Sequence, residues 1–385
     1  MSRADVNGIP LSTERVHPMQ DIRITRWAHT LINYSLYIKP GDVVAIQATP
    51  LAAPLIKAVY REVLRVGAHP LPQIHLEDLE EILLREGSDE QLTMLSPETM
   101  VLVERVNARL SIHSSSNTKA LSGINPARSA LRRKAYMGTR DTWRKREQVG
   151  EFRWCLTLYP TDGFAQDANM SLSEFEEFVF DACFLNELDP ATKWRELSTQ
   201  QQHHVDWLRG HKQVRILGEG TDLTLSTEDR IFINSDGKRN FPSGEFFTSP
   251  VENSANGVIQ FDIPTTYDGR AAEGIRLVFR EGKVVEASAR QGNDFLQQML
   301  NMDDGARYLG EFAFGNNMRI NRGTKNILFD EKIGGTVHLA LGNSYPETGG
   351  VNHSALHWDM ICDLRKSGEV YVDDTLFLKD GKILV

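Results

Sequence analysis

His338, His353 and His357 fall close together near the C-terminus of a 385-residue chain that has 11 histidines in all. Asp330 and Glu331 precede the first of them, Tyr345 lies between, and Asp359 follows the last. Neutral imidazole and carboxylate are the donors that divalent zinc, cobalt, manganese and iron accept. In a strand, His357 and Asp359 would point to one side, with Leu356, Trp358 and Met360 on the other. His338 sits in Gly335-Thr-Val-His-Leu-Ala-Leu-Gly342, a strand-like run whose flanking glycines allow close backbone approach. An isolated His-x-Asp pair arises by chance, and one strand histidine is as readily a satisfied core residue. The density of donors is what points to a metal. His353 is not expected to ligate.

Two further acids stand among apolar and small neighbours: Glu245 in Asn240-Phe-Pro-Ser-Gly-Glu-Phe-Phe-Thr-Ser-Pro250, and Glu311 in Tyr308-Leu-Gly-Glu-Phe-Ala-Phe-Gly315. A carboxylate in such a setting is expensive unless exposed, paired or metal-bound. Glu245, Glu311, His338, His357 and Asp359 exceed what one tetrahedral zinc with an open position needs. A two-metal hydrolase would use the surplus, with one carboxylate bridging the ions and a trapped water made acidic. The alternative is a mononuclear non-haem Fe(II) ring-opening dioxygenase of the dihydroxypyridine dioxygenase type, using His338, His357 and Asp359 as a facial triad. That reading leaves Glu245 and Glu311 without a task. A third reading is a binding protein that keeps the fold without catalysis. Tyr345 is either a packed loop tyrosine or a phenol that donates to a tetrahedral oxyanion; spacing does not decide.

These residues need stiff elements to hold them. The first half alternates helix and strand. Helical spacing covers 20–37, Val43–Ile46 reads as a buried strand, and Ala52–Val66 reads as a helix capped by Gly67. His69–His75 follows as a strand, completing a βαβ unit and implying a parallel sheet. Met100–Val103 is expected to be a further strand, the basic run in 118–150 a solvated helix face, and 151–160 a strand. Ser171 and Glu174 are placed as a capping box for a helix to Phe184. The Gln/His-rich stretch 186–212 reads as a boundary region with His203 and His204 exposed. Beyond about residue 213, alternating apolar and polar segments with Asp/Gly turns predict antiparallel sheet, interrupted by a helix from Asn293 to Met302. The expected architecture is an α/β N-terminal domain with a parallel sheet (1–205), plus a β-rich α+β C-terminal domain carrying the metal site (206–385).

Composition narrows the partners. With 43 basic and 52 acidic residues the net charge is −9, which argues against non-specific nucleic-acid or membrane binding. No apolar run approaches the ~18 residues of a membrane span, and residues 1–8 lack a signal-like apolar segment. Three widely spaced cysteines imply buried thiols and a reducing cytoplasm. The glycines form no GxGxxG fingerprint, so no nucleotide is expected.

The motifs taken together resemble the aminopeptidase T/aminopeptidase S (PepS) family of metallo-aminopeptidases. They are Asn240–Pro250, Gly310-Glu311, Phe329-Asp-Glu331, His338–Gly342, Ser344-Tyr-Pro346 and Asn352-x-Ser-x-x-His357-x-Asp359. The match is dense over 213–385 and weaker over 20–190. The resemblance implies a cytoplasmic homodimeric exopeptidase acting on peptide substrates, with two divalent ions (zinc, cobalt or manganese) per chain. It implies Glu245, Glu311, His338, His357 and Asp359 as ligands, Glu311 also acting in catalysis, and Tyr345 as the catalytic residue. Two departures stand out. Glu331 lies seven residues before His338 rather than the family's five, which suggests a supporting place behind the ligands. The segment from Tyr345 to Asn352 is short, so substrate preference could differ.

Overall fold

The computed structural model describes residues 21–385 apart from Asp268. The expectation for residues 1–8, and the start of the 20–37 helix at residue 20, therefore lie outside the described residues. Val43–Ala48 pairs in parallel with His69–Ile74 on one side and Ala108–His113 on the other, and Arg153–Leu158 extends the sheet. Helix Ala53–Val66 makes the crossover and ends at Gly67, whose φ of 84° is left-handed, as a C-cap glycine requires. The capping box of Ser171 and Glu174 closes on helix Leu172–Ala182. No helix among the described residues is long and apolar enough to cross a membrane. All three cysteines are buried free thiols.

Three expectations are corrected. Met100–Val103 lies in a helix, Pro97–Arg105, because Ser96 caps it and Pro97 stands in its first turn, where the missing N–H does no harm. The strand is instead Ala108–His113. Residues 190–208 form one helix whose inner face buries Gln201 and His204, while His203 stays exposed. His204 packs on Phe246 and Phe377, so the polar look of the segment hides a core-facing stripe.

The later part of the chain contains two antiparallel arrays. A nine-stranded sheet takes in Gln213–Gly218, Thr221–Ser226 and Arg270–Arg280. A five-stranded sheet runs in the order His357–Asp363, Thr336–Gly342, Leu309–Gly315, Glu245–Thr248, Ile233–Ser235. Between Leu309–Gly315 and Thr336–Gly342 runs the loop of residues 320–333, which returns to the first half of the chain. Ile320, Leu328, Phe329 and Ile333 are buried in the same apolar cluster as Trp27, Phe175 and Val179. Asn240–Phe241 likewise adds to the edge of the parallel sheet.

That loop buries an acid. Asp330 accepts hydrogen bonds from the Thr324 backbone N–H and hydroxyl, both at 2.7 Å. Burial nonetheless pushes its carboxyl up to about 7. The sign follows: the folded state favours the neutral acid, so ionisation destabilises it progressively from about pH 4 to pH 7 and fully above. Each decade is worth about 1.4 kcal/mol, and asparagine keeps the accepting oxygen. Asp330→Asn is therefore expected to stabilise the fold by at least about 1 kcal/mol at pH 8 and to change little at pH 3.5. Urea denaturation at both pH values checks this; equal effects at the two would show that Asp330 is not held neutral.

Candidate metal centre

The five-stranded sheet gathers the acidic and imidazole side chains by register. Residues directly opposite one another on neighbouring strands share a face. Ala340 lies opposite Asp359 on one side and Glu311 on the other; Gly342 lies opposite His357, Ala313 opposite His338, and Gly315 opposite Glu245. All five predicted ligands thus share one face, each beside an alanine or glycine that leaves room for it. The other face holds Phe246, Phe312, Phe314, Val337, Leu339, Leu341, Trp358, Met360 and Cys362, buried in a single core. The apolar face sets the register, and the register delivers the polar set.

Gly310 contributes a local irregularity. The pairing shifts between Leu309 and Glu311, the signature of a bulge that re-aims a nearby side chain. A Cβ on Gly310 would lie 2.3 Å from the Asn343 carbonyl oxygen, so only glycine fits. Glu311 keeps the regular alternation of Phe312 to Gly315, and the bulge is what lets Leu309, two residues earlier, turn to the core face instead of the ligand face.

Glu311 occupies the middle. Its Oε1 lies 3.7 Å from His338 Nε2 and its Oε2 lies 3.2 Å from His357 Nε2. Outward from these, Glu245 Oε2 is 3.7 Å from His338 Nε2 and Asp359 Oδ1 is 3.6 Å from His357 Nε2. Separations of 3.6–3.7 Å are too long for hydrogen bonds. They do suit donors that share a cation, since two ligands about 2.1 Å from one tetrahedral ion stand about 3.4 Å apart. The satisfaction of polar atoms points the same way. Glu245 Oε2, His338 Nδ1 and Nε2, and Asp359 Oδ1 are buried with no hydrogen-bond partner, a costly state for a protein interior. Coordination would satisfy the carboxylate oxygens and one imidazole nitrogen of this set, so the residues present fit divalent metal.

His357 is fixed from behind. Its Nδ1 lies 2.8 Å from the Asn343 carbonyl, which selects the tautomer that presents the Nε2 lone pair to the site. The charges are strongly coupled. Burial pushes Glu311 up, but the imidazoles of His338 and His357 outweigh it and hold the carboxyl down to about 2. Burial pushes His357 down, yet Asp359 and Glu311 bring it up to about 10. Burial dominates at Glu245 and raises it despite the pull of Lys332 and His338. Protons and divalent cations therefore compete for the same lone pairs.

Tyr345 reaches the same face from the loop after Thr336–Gly342. Its hydroxyl lies 3.4 Å from His357 Nε2 and its ring packs on Phe247 with centroids 5.1 Å apart. Burial, then the charges of Glu311 and Asp359, push the phenol well above its ordinary value in the metal-free cluster. Glu331 approaches from the 320–333 loop, grouped with Glu245 and His338 such that one donor atom of each lies within 4.8 Å of the others. Glu311, His338 and Asp359 form a second such group, and among the described residues His353 belongs to neither.

One residue of the site escaped the sequence reading. Lys332 is 0% exposed, and its ammonium lies 3.2 Å from Glu245 Oε1 and in ion-pair contact with Glu331. The signal available was the lengthened spacing between Glu331 and His338, with a lysine inside it.

Comparison with known proteins places these features. The sequence pattern of the thermophilic metalloprotease family (M29) matches residues 20–381. Aminopeptidase 2 of Geobacillus stearothermophilus is 29% identical over 399 residues, covering 93% of this chain and 95% of the relative. Aminopeptidase T of Thermus thermophilus is 30% identical over 263 residues, 62% of this chain and 63% of the relative. The solved structure of wild-type AmpT from Thermus thermophilus superposes with a TM-score of 0.81 at 23% identity, over 94% of this chain and 99% of that one. The fold is therefore shared: a parallel sheet with helices, followed by antiparallel sheets. With its pattern matched from residue 20 to residue 381, the chain belongs to the M29 family of metalloproteases.

Proposed function

We propose that Glu245, Glu311, His338, His357 and Asp359 hold two divalent ions, with zinc, cobalt or manganese the suited choices, and that the site removes N-terminal residues from peptides. The class of reaction, metal-dependent aminopeptidase, follows from the family and from relatives that are aminopeptidases by name. The mononuclear iron reading finds no support among those relatives. The observation that carries the two-ion reading is Glu311, whose two oxygens face two different imidazoles, each with its own further carboxylate.

When bound, the ions supply Lewis acidity that polarises the scissile carbonyl and acidifies a water at neutral pH. The chain's own residues do the rest. Glu311 would help hold both ions, since its two oxygens face two different imidazoles, and it would relay a proton from the attacking water. Asn343 orients His357, and Tyr345 donates its O–H to the carbonyl oxygen as negative charge develops there. Glu331 stands behind Glu245 and His338 rather than ligating. The division of labour between 1–205 and 206–385, a homodimeric assembly and a cytoplasmic location belong to the same proposal; sedimentation equilibrium tests the dimer.

The direct test is metal content by elemental mass spectrometry on purified protein, with aminoacyl-substrate hydrolysis measured alongside. About two ions per chain, falling in Glu245→Gln, supports the reading; one iron unaffected by that change sinks it. Stripping the metal should also lower the melting temperature. A ligand held at 100 times its Kd adds about 2.7 kcal/mol to the folded state. In a chain of this size that corresponds to a loss of at least about 3 °C on chelation, restored by re-addition of metal. A melting curve indifferent to chelator would instead indicate a fold that has kept the cluster without the ions.

A further inference from the structure

Lys332 is the one lysine or arginine of the described residues in ion-pair contact with a proposed carboxylate ligand of the cluster, and its position is not symmetric. It lies against Glu245 Oε1, while the other oxygen of that carboxylate, Oε2, faces His338. The Asp359–His357 end of the cluster has no such neighbour: His357 Nε2 faces Glu311, Asp359 and the Tyr345 hydroxyl. The lysine is fully buried, and its backbone is tied at both ends. Its N–H donates to the Phe329 carbonyl at 3.0 Å and its carbonyl accepts from Asn317 N–H at 3.0 Å. Phe329 and Ile333, on either side, are rooted in the core of the first half.

We infer that Lys332 makes the two ion positions unequal, so that the ion held by Glu245 and His338 is the weakly bound, exchangeable one and the ion held by His357 and Asp359 is the tight one. The inference rests on the metal reading of the cluster. Two physical causes act in the same direction. An ammonium beside Glu245 Oε1 takes up part of the negative charge that would otherwise serve the ion, and restricts the carboxylate to its other oxygen. It also repels a divalent cation across a few ångströms of low-dielectric interior, where screening by salt is slight. Lys332 is a positioning residue in this account: it acts through Glu245.

The measurement is equilibrium titration of chelator-stripped full-length protein with Co²⁺, read as ions bound per chain and, independently, by the visible absorption of the bound cobalt. Wild type is expected to show two classes of affinity at least tenfold apart. Lys332→Met should tighten the weak class at least tenfold and leave the tight class within about threefold. Lys332→Arg, which restores a cation, should keep the gap. Should Lys332→Met fail to fold, Glu245→Gln in the wild-type background carries the test. It should abolish the weak class alone, whereas Asp359→Asn abolishes the tight one. Equal affinities in wild type, or a gap that survives Lys332→Met, would overturn the role of the lysine while leaving a dinuclear centre standing. Absence of cobalt uptake in wild type, or uptake untouched by Glu311→Gln, would overturn the metal reading itself and the inference with it.

Discussion

Glu311→Gln is expected to remove both metal retention and peptide hydrolysis, the largest single effect in the molecule. The residue sits between the imidazoles, with one oxygen 3.7 Å from His338 Nε2 and the other 3.2 Å from His357 Nε2. Glutamine keeps the shape and loses the charge, and it must turn an N–H₂ toward one of the two ion positions. A donor cannot ligate, so at least one position is lost and the charge balance of the other is spoiled. Lewis-acid stabilisation is worth several kcal/mol in such reactions, which places the fall in kcat/KM on the order of a thousandfold or more. Glu311→Ala should do no worse. Full activity with two ions bound in Glu311→Gln would mean that the central carboxylate is structural and that the site lies elsewhere.

Tyr345→Phe gives the second large effect and separates chemistry from binding. The phenol is held by ring contacts with Phe247 and His357, and its backbone N–H donates to Ser249 Oγ at 3.3 Å. Phenylalanine preserves those packing contacts and deletes one O–H. Losing one donor to a developing oxyanion lowers kcat by roughly a hundredfold to a thousandfold. Metal content and melting temperature should stay unchanged. Loss of metal in Tyr345→Phe would instead make the tyrosine a support for His357 and remove it from the chemistry.

The residues that the fold gathers on one face could be read from the chain because two local rules agreed. The i, i+2 spacing of His357 and Asp359 put both on one side of a strand, and the intervening Trp358 had to face a core. Glu245 and Glu311 announced themselves as acids in apolar company, and each is buried in the fold. What local rules could not supply was register. That Ala340 stands opposite both Asp359 and Glu311 depends on pairing between segments distant in sequence. Lys332 was hidden for the same reason. A lysine followed by Ile-Gly-Gly has the look of an exposed turn, and its burial is decided by Phe329 and Ile333 finding a remote core. The misread strand at 100–103 failed differently: a capping serine and an N-terminal proline outweigh four apolar residues in a row. At Ala108–His113 the charged Arg109 masked a strand. Its guanidinium stacks 3.9 Å over Trp143, a contact invisible to a periodicity rule.

The anchoring of the 320–333 loop bears on how this enzyme could be inherited or re-engineered in pieces. Glu331 and Lys332 belong by sequence to the later half of the chain, yet the apolar roots on either side of them are planted among Trp27, Phe175 and Val179 of the first half. A graft of residues 206–385 onto a foreign partner would carry every ligand and still forfeit the bed that aims the lysine. Modularity therefore stops short of the metal centre. If Lys332 acts as inferred, exchange of N-terminal halves between relatives becomes a way to retune metal occupancy from a distance, without changing any of the five proposed ligands.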